Sequence, residues 1–173
     1  AGVDNLLKTA PARLKASEGD ELCAIVVDAD DDAVARWQAL RNSLLRIGYV
    51  GVPEHADPQG TIIDPPPATL LPRVGIWIMP DNTGPGMLET LALEMTHAAS
   101  PLLQHARSAV ESIPASERLF SSTAEAKAII HTWLAWQEEP GKPLGLAISK
   151  RYLNADTTQA KAVVDWLNRL FGS

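Results

Sequence analysis

Two short apolar runs, each closed by polar residues, dominate the hydrophobic pattern of the chain. Leu22–Val27 is uninterrupted and leads into four aspartates within five positions, and Arg73–Met79 leads into Pro80-Asp81-Asn82. Apolar runs of this length, bounded by turn residues, are typical of buried strands. A shorter run at Thr61–Ile63, within a proline-rich stretch, predicts a third strand at an antiparallel edge of the sheet.

The apolar positions that flank the first strand recur at helical spacing. After this strand, Asp30 or Asp31 is predicted to cap a helix that ends at Gly48. The predicted core face of that helix consists of Val34, Trp37, Leu40, Leu44 and Ile47. Strand, acidic turn and helix together make half of a βαβ unit. Before the strand, residues 4–8 and 10–16 are predicted as two helical pieces, because Pro11 fits the first turn of the second piece.

The second half of the chain is predicted to be mainly helical. Four helices are expected, one over about residues 85–98 and three that begin at Ser100, at a capping box of Ser122 and Glu125, and at Thr157 or Thr158. The alternation of Leu144, Leu146 and Ile148 predicts an extended segment. The class is therefore α/β. We expect one domain over residues 1–173, with a soft boundary near residue 99 and a helical portion over 100–173.

Composition narrows the classes of partner. The 173 residues carry a formal net charge of -6. A generic nucleic-acid binder needs clustered Lys and Arg. Nucleic acid or a nucleotide would therefore have to bind this chain through a metal ion or a local basic patch. Cys23 has no second cysteine with which to form an internal disulfide. No apolar run is long enough to cross a bilayer and no signal peptide is visible, so we predict a cytoplasmic protein without a membrane partner.

The aspartates after the first strand are the first candidate site. Asp28 and Asp30 are two residues apart, so in an extended segment their carboxylates point the same way and can hold one ion. Mg²⁺ prefers oxygen ligands and is commonly held by one or two carboxylates with water and substrate phosphate. The alternative is structural, with one aspartate capping the helix and the others in solvent.

A second candidate cluster follows the second long strand. If the two strands are parallel neighbours, Asp81 and Asn82 open on the same edge of the sheet as Asp28. Glu89, early in the next helix, could reach back toward the same ion. The alternatives are that Glu89 only interacts with the helix dipole and that Asn82 or Thr83 is only an N-cap.

A third set of residues is basic. Lys127 and His131 lie one turn apart on a predicted helix, and Lys142, Lys150 and Arg151 follow. These side chains are the candidates for contact with an anionic substrate, with Lys127 and His131 as the candidate catalytic residues. The alternative is an ordinary solvated helix face.

Three segments carry a resemblance to a known family. VVDADDDAVARWQALRNSLLRIGY, RVGIWIMPDNTGPGMLE and KAIIHTWLAWQEEPGKPLG together resemble an uncharacterised family of unknown function related to the Toprim domains of primases, topoisomerases and OLD-type nucleases. The resemblance implies a Rossmann-like, mostly parallel sheet flanked by helices, with an acidic Mg²⁺ site. Asp28 and Asp30 match the Toprim metal-binding aspartates. Asp81, Asn82 and Glu89 match the signature of the uncharacterised family, without an assigned role.

Two functional hypotheses account for this acidic site. The first is Mg²⁺-dependent phosphoryl transfer or phosphodiester cleavage, with the metal held by Asp28, Asp30, Asp81 and Glu89. The second is a non-catalytic metal- or nucleotide-binding regulatory module. Toprim domains carry their general acid/base glutamate after a first strand that precedes the GVDNLLK segment in related chains. Because the GVDNLLK segment stands at the start of this sequence, we expect that strand and glutamate either to have been removed or to be lacking in this version. If this version lacks them, the second hypothesis is favoured over Toprim-type cleavage.

Overall fold

A computed structural model describes residues 2–16, 21–97 and 100–172 of the chain, with side chains from residue 9 onward. The described residues form a mixed α/β structure of seven helices and three strands. In chain order these are α1 (Gly2–Lys15), β1 (Leu22–Asp28), α2 (Ala33–Ile47), β2 (Thr61–Ile63), β3 (Arg73–Met79), α3 (Leu88–Glu94), α4 (Pro101–Glu111), α5 (Glu125–Ala135), α6 (Leu144–Ser149) and α7 (Thr158–Phe171).

The chain divides into two compact units. The first comprises Ala1–Met87 with Ala162–Ser173, and the second comprises Leu88–Lys161. All three strands belong to the first unit, and every element described between residues 88 and 161 is helical. The predicted boundary near residue 99 falls outside the described residues.

The sheet is open and mixed, with the strand order β1-β3-β2. β1 runs parallel to β3, with Leu22 opposite Arg73 and Asp28 opposite Met79. β2 runs antiparallel to β3, with Thr61 opposite Ile76. The predicted strands and the antiparallel edge at residues 61–63 are therefore confirmed. The sheet holds one parallel and one antiparallel pair, and a Rossmann-like arrangement stays a prediction.

The two faces of β3 bury different partners in the first unit. One face joins the core cluster that includes Val74, Ile76 and Ile78 together with Trp37 and Leu44 of α2. On the other face, Gly75 and Trp77 lie against α7, where the rings of Trp77 and Trp166 are 5.6 Å apart. The alternation along β3 therefore places apolar contacts on both sides of the strand, which explains its nearly continuous burial.

α2 differs from the prediction at its start. Asp32, rather than Asp30 or Asp31, is the N-cap, and its Oδ1 accepts a hydrogen bond of 2.9 Å from the backbone N–H of Ala35. Val34 is 61% exposed and does not belong to the core face. The end of the helix is as predicted, because Gly48 adopts a left-handed conformation with φ 112°.

Three further predictions about helices are wrong. α1 is continuous and contains Pro11 within it, although proline removes one backbone donor. α5 follows a short 3₁₀ turn at Ser122–Ala124, and no side chain caps either element, so the capping box does not form. Residues 144–149 form a helix rather than an extended segment, and this helix buries Ala147 in the core. Three alternating apolar residues in so short a segment do not exclude a helix.

The second unit is built on helix packing. α4 and α3 both pack against α5. As predicted, Ser100 is the N-cap of α4, and its hydroxyl accepts a hydrogen bond from the Leu103 N–H. α3 ends at Glu94, well before the predicted Ala98, which lies outside the described residues. Buried apolar side chains in this unit include Leu91, Leu103, Ala106, Val110, Ile129, Ile130, Trp133 and Leu134. Among the residues whose structure is described, no helix is long and apolar enough to cross a membrane.

Replacement of Gly60 by alanine is expected to destabilise the first unit. Gly60 has φ 88°, and a Cβ at this position would overlap the indole of Trp166. Gly51 is also left-handed, with φ 68°, but a Cβ there meets nothing within 4 Å. Gly60→Ala should therefore lower the free energy of unfolding by about 2 kcal/mol more than the control Gly51→Ala, as measured by urea denaturation. Equal losses in the two variants would contradict the packing described for Trp166.

Tyr49 is expected to contribute stability that is lost at alkaline pH. Its buried hydroxyl donates to the Pro72 carbonyl at 2.6 Å, and burial raises the pKa of Tyr49 from 10.0 to about 12. Because the neutral phenol is favoured in the folded state, this contribution is present in full below pH 10 and is lost as the pH rises toward 12.

Tyr49→Phe should cost about 1 kcal/mol at neutral pH. Its free energy of unfolding should then fall less steeply than that of the wild type above pH 10. Parallel curves would contradict this assignment.

Candidate functional site

The carboxyl ends of β1 and β3 lie side by side, as expected for parallel neighbours. Just beyond β1, the Ala29 N–H donates to the Met79 carbonyl at 3.1 Å. Further out, Asp30 and Gly86 exchange two backbone hydrogen bonds of 2.9 and 2.8 Å. The turn after β1 (residues 28–32) is thereby joined to the turn after β3 (residues 80–86). We call these two joined turns the acidic edge.

Arg36, in the first turns of α2, binds the turn after β1, which is the first of the two turns of the acidic edge. Its Nη2 pairs with Oδ2 of Asp30 at 2.5 Å, and its Nε donates to the Asp28 carbonyl at 2.9 Å. The Arg36 side chain is 17% exposed, whereas that of Asp30 is 47% exposed. One guanidinium therefore offsets the charge of Asp30 and also binds the backbone of Asp28 at the end of β1.

A surface pocket of about 370 Å³ opens beside this ion pair. Its lining residues are Ala29, Asp30, Asp31, Asp32, Ala35 and Arg36. Asp32 serves as the cap of α2, whereas Asp31 is exposed. The pocket thus presents several carboxylates and one guanidinium to the same space.

Asp81 forms the second half of the acidic edge. Its Oδ1 accepts three hydrogen bonds, from the Thr83 N–H at 2.9 Å, the Thr83 hydroxyl at 3.0 Å and the Gly84 N–H at 2.8 Å. Partial burial by itself raises the pKa of Asp81, but the hydrogen bonds from Gly84 and Thr83 outweigh burial and hold the pKa below its usual range. Asp81 is therefore an anion near neutral pH, suited to bind a cation and unsuited to donate a proton.

Asn82 has a structural role in this turn. It is buried, adopts a left-handed conformation with φ 67°, and accepts a hydrogen bond on Oδ1 from the Ile78 N–H at 2.8 Å. Its Nδ2 donates to the Pro58 carbonyl at 3.3 Å. The alternative that Asn82 is a helix cap is wrong, because α3 begins only at Leu88. Asn82 closes the turn onto β3 and so positions Asp81.

The remaining candidate residues belong to the second unit. The Glu89 carboxylate, whose side chain is 13% exposed, pairs with Lys127 Nζ at 3.3 Å. A candidate metal ligand and a candidate catalytic residue thus form an ion pair with each other. His131 is exposed one turn further along α5. A shared ion between Glu89 and the aspartates stays a prediction.

The donor set fits a cation that arrives with phosphate better than a cation held by protein alone. Within residues 21–97 and 100–172, no group of three or more His, Cys, Asp or Glu side chains is placed to hold a metal ion. Mg²⁺ often needs only one or two carboxylates when water and phosphate supply the other ligands. Two carboxylates, one from each turn, would be the set available to such an ion: Asp81 with either Asp28 or Asp30.

Sequence reasoning identified the aspartates of the acidic edge but missed Arg36. In the sequence, Arg36 is one of several basic residues on the polar side of an amphipathic helix. Its position in the first turns of the helix that follows Asp28 and Asp30 is the signal that could have identified it, because such a side chain can reach back to the strand end.

Comparison with known proteins assigns a family. Residues 1–172 match the family described as "Protein of unknown function (DUF3226)". No curated protein and no solved structure matches the chain. The predicted membership of an uncharacterised family is confirmed, whereas its relationship to Toprim domains stays a prediction. Because the match covers nearly the whole sequence, the chain belongs to the DUF3226 family, whose function is unknown.

Proposed function

We propose that the acidic edge binds Mg²⁺ together with a nucleotide and that the protein acts as a regulatory binding module. The observation that carries this proposal is the junction of two acidic turns by the Ala29–Met79 and Asp30–Gly86 hydrogen bonds. Each turn alone is an ordinary polar strand end. Together they offer carboxylates from two chain segments to one ligand.

The charges of the acidic edge favour a ligand that carries both signs. A phosphate alone would be repelled by the aspartates, and a cation alone would meet the guanidinium of Arg36 in the same pocket. A magnesium-bound phosphate satisfies both, because the metal faces carboxylates and the phosphate oxygens face Arg36. The bound ion would supply positive charge that offsets the negative charge of the carboxylates in the two turns.

Arg36 retains hydrogen-bonding capacity for such a ligand. A guanidinium has five N–H donors, and the contacts to Asp28 and Asp30 occupy Nε and Nη2. A planar guanidinium suits phosphate oxygens in particular. Because Arg36 is already held by the main chain of β1, little additional ordering is needed to present it to a phosphate.

Two features favour binding over catalysis. The hydrogen bonds that keep Asp81 ionised remove it as a general acid near neutral pH. Among the described residues that line the pocket beside Arg36, two of the three aspartates already have structural partners, since Asp30 pairs with Arg36 and Asp32 caps α2. The resemblance to Toprim domains, carried by Asp28 and Asp30, supports Mg²⁺-dependent phosphoryl transfer or phosphodiester cleavage as the alternative function.

Calorimetric titration tests the proposed ligand. Wild-type protein should bind ATP in the presence of Mg²⁺ at least about tenfold more tightly than Mg²⁺ alone or ATP with a chelator. Asp81→Asn keeps the Oδ1 acceptor of the turn but removes its charge, so it should weaken Mg²⁺–ATP binding by about tenfold without unfolding the turn. Asp64→Asn is the matched control, because Asp64 pairs with Arg73 at the opposite end of β3 and should leave the affinity unchanged.

Three results of this titration are decisive. Equal affinity in Asp81→Asn and wild type, or no heat of binding with any combination of metal and nucleotide, would overturn the proposed site. Mg²⁺-dependent release of phosphate or of labelled nucleotides from DNA by the wild type, abolished in Asp81→Asn, would replace the binding module by the catalytic alternative.

A further inference from the structure

A second pocket, of about 380 Å³, lies within the second unit and has a different chemistry. Its lining includes polar, charged and apolar side chains, namely His97, Ile148, Arg151, Leu153, Asn154 and Asp156. Its volume falls in the range of small-molecule sites. None of these residues belongs to the acidic edge, so the pocket is a separate feature of the protein.

The wall of this pocket is fixed by the core and by backbone hydrogen bonds. Ala147 and Leu153 are buried and anchor α6 and the segment that follows it. The Asn154 N–H donates to the Met95 carbonyl at 2.7 Å, which ties this segment to the residues just before His97. The Asn154 side chain in turn accepts from the Asp156 N–H at 2.9 Å. Leu153 and Asn154 are therefore held in place before any ligand arrives.

Arg151 occupies a position that normally favours glycine. It follows α6 in the left-handed region with φ 59°, and the Tyr152 N–H closes the helix end onto the Ala147 carbonyl at 2.9 Å. Helices that end this way most often carry glycine in the left-handed position. A side chain with a Cβ is strained in this region, so Arg151 stands against the local conformational preference.

The cations around Arg151 are paired, whereas its own guanidinium is not. Lys150 pairs with Glu139, and Lys161 pairs with Asp156 at 3.4 Å. Among the residues that the structure describes, the Arg151 side chain has neither an ion pair nor a hydrogen bond. A strained backbone thus presents to the pocket an exposed arginine whose guanidinium has no partner in the described part of the chain.

We propose that this pocket binds a small organic anion that consists of one carboxylate or phosphate group and an apolar body. The Arg151 guanidinium pairs with the anionic group. The half-exposed Ile148 side chain and the edge of Leu153 contact the apolar body, and the imidazole of His97 offers a further hydrogen bond. Lys161 offsets the charge of Asp156, so that the field of Arg151 prevails at the mouth of the pocket.

Substitutions at Arg151 separate binding from structure. In the full chain, titration with phenyl phosphate or benzoate, followed by amide chemical shifts, should give saturable changes over residues 148–156. Both Arg151→Gly and Arg151→Gln should weaken binding by about tenfold. Arg151→Gly should at the same time raise Tm by about 2 °C, because glycine relieves the left-handed strain. Arg107→Gln removes one exposed charge from α4 and should change neither the affinity nor Tm.

The apolar contact has its own control. Ile148→Ser should weaken the binding of phenyl phosphate but leave the weaker binding of inorganic phosphate unchanged, since only the organic probe reaches Ile148. Two results would overturn the proposal. One is the absence of saturable shifts with phenyl phosphate, benzoate and inorganic phosphate, and the other is unchanged affinity in both Arg151 variants.

Discussion

The parallel pairing of β1 with β3 is the constraint on which the candidate site depends. Parallel neighbours end at the same edge of a sheet, so two turns that are distant in sequence meet beyond Asp28 and Met79. The exchange of hydrogen bonds between Asp30 and Gly86 extends the contact past the strands. Asn82 then holds the second turn, which contains Asp81, against the end of β3.

The two pockets illustrate different ways of placing charge. At the acidic edge, Arg36 is bound to the strand end and shares its space with several carboxylates, so the pocket suits a ligand of mixed charge. After α6, Arg151 is unpaired among the described residues and lies beside the apolar surface of Ile148 and Leu153, which suits an anion with an apolar body. The residues around each arginine, rather than its own positive charge, determine which kind of ligand its pocket suits.

Sequence patterns were informative where burial decides the structure. The apolar runs identified all three strands, and Ser100 and Gly48 marked helix ends through local backbone chemistry. The predictions failed where the conformation of a residue depends on a partner that is distant in the sequence. Asp30 was a reasonable cap, but its backbone pairs with Gly86 and its carboxylate with Arg36, and neither partner has a local signature. At residues 144–149, three alternating apolar residues could not distinguish a strand from a short helix.

The central claim is that the two turns of the acidic edge act as one ligand site. Anomalous X-ray diffraction from crystals grown with Mn²⁺ and a non-hydrolysable nucleotide tests this claim most directly, because it locates the ion independently of any activity. We expect an anomalous peak within coordination distance of Asp81 and of Asp28 or Asp30, with a nucleotide phosphate beside Arg36. A metal–nucleotide complex bound elsewhere, or an ion in contact with only one of the two turns, would contradict it.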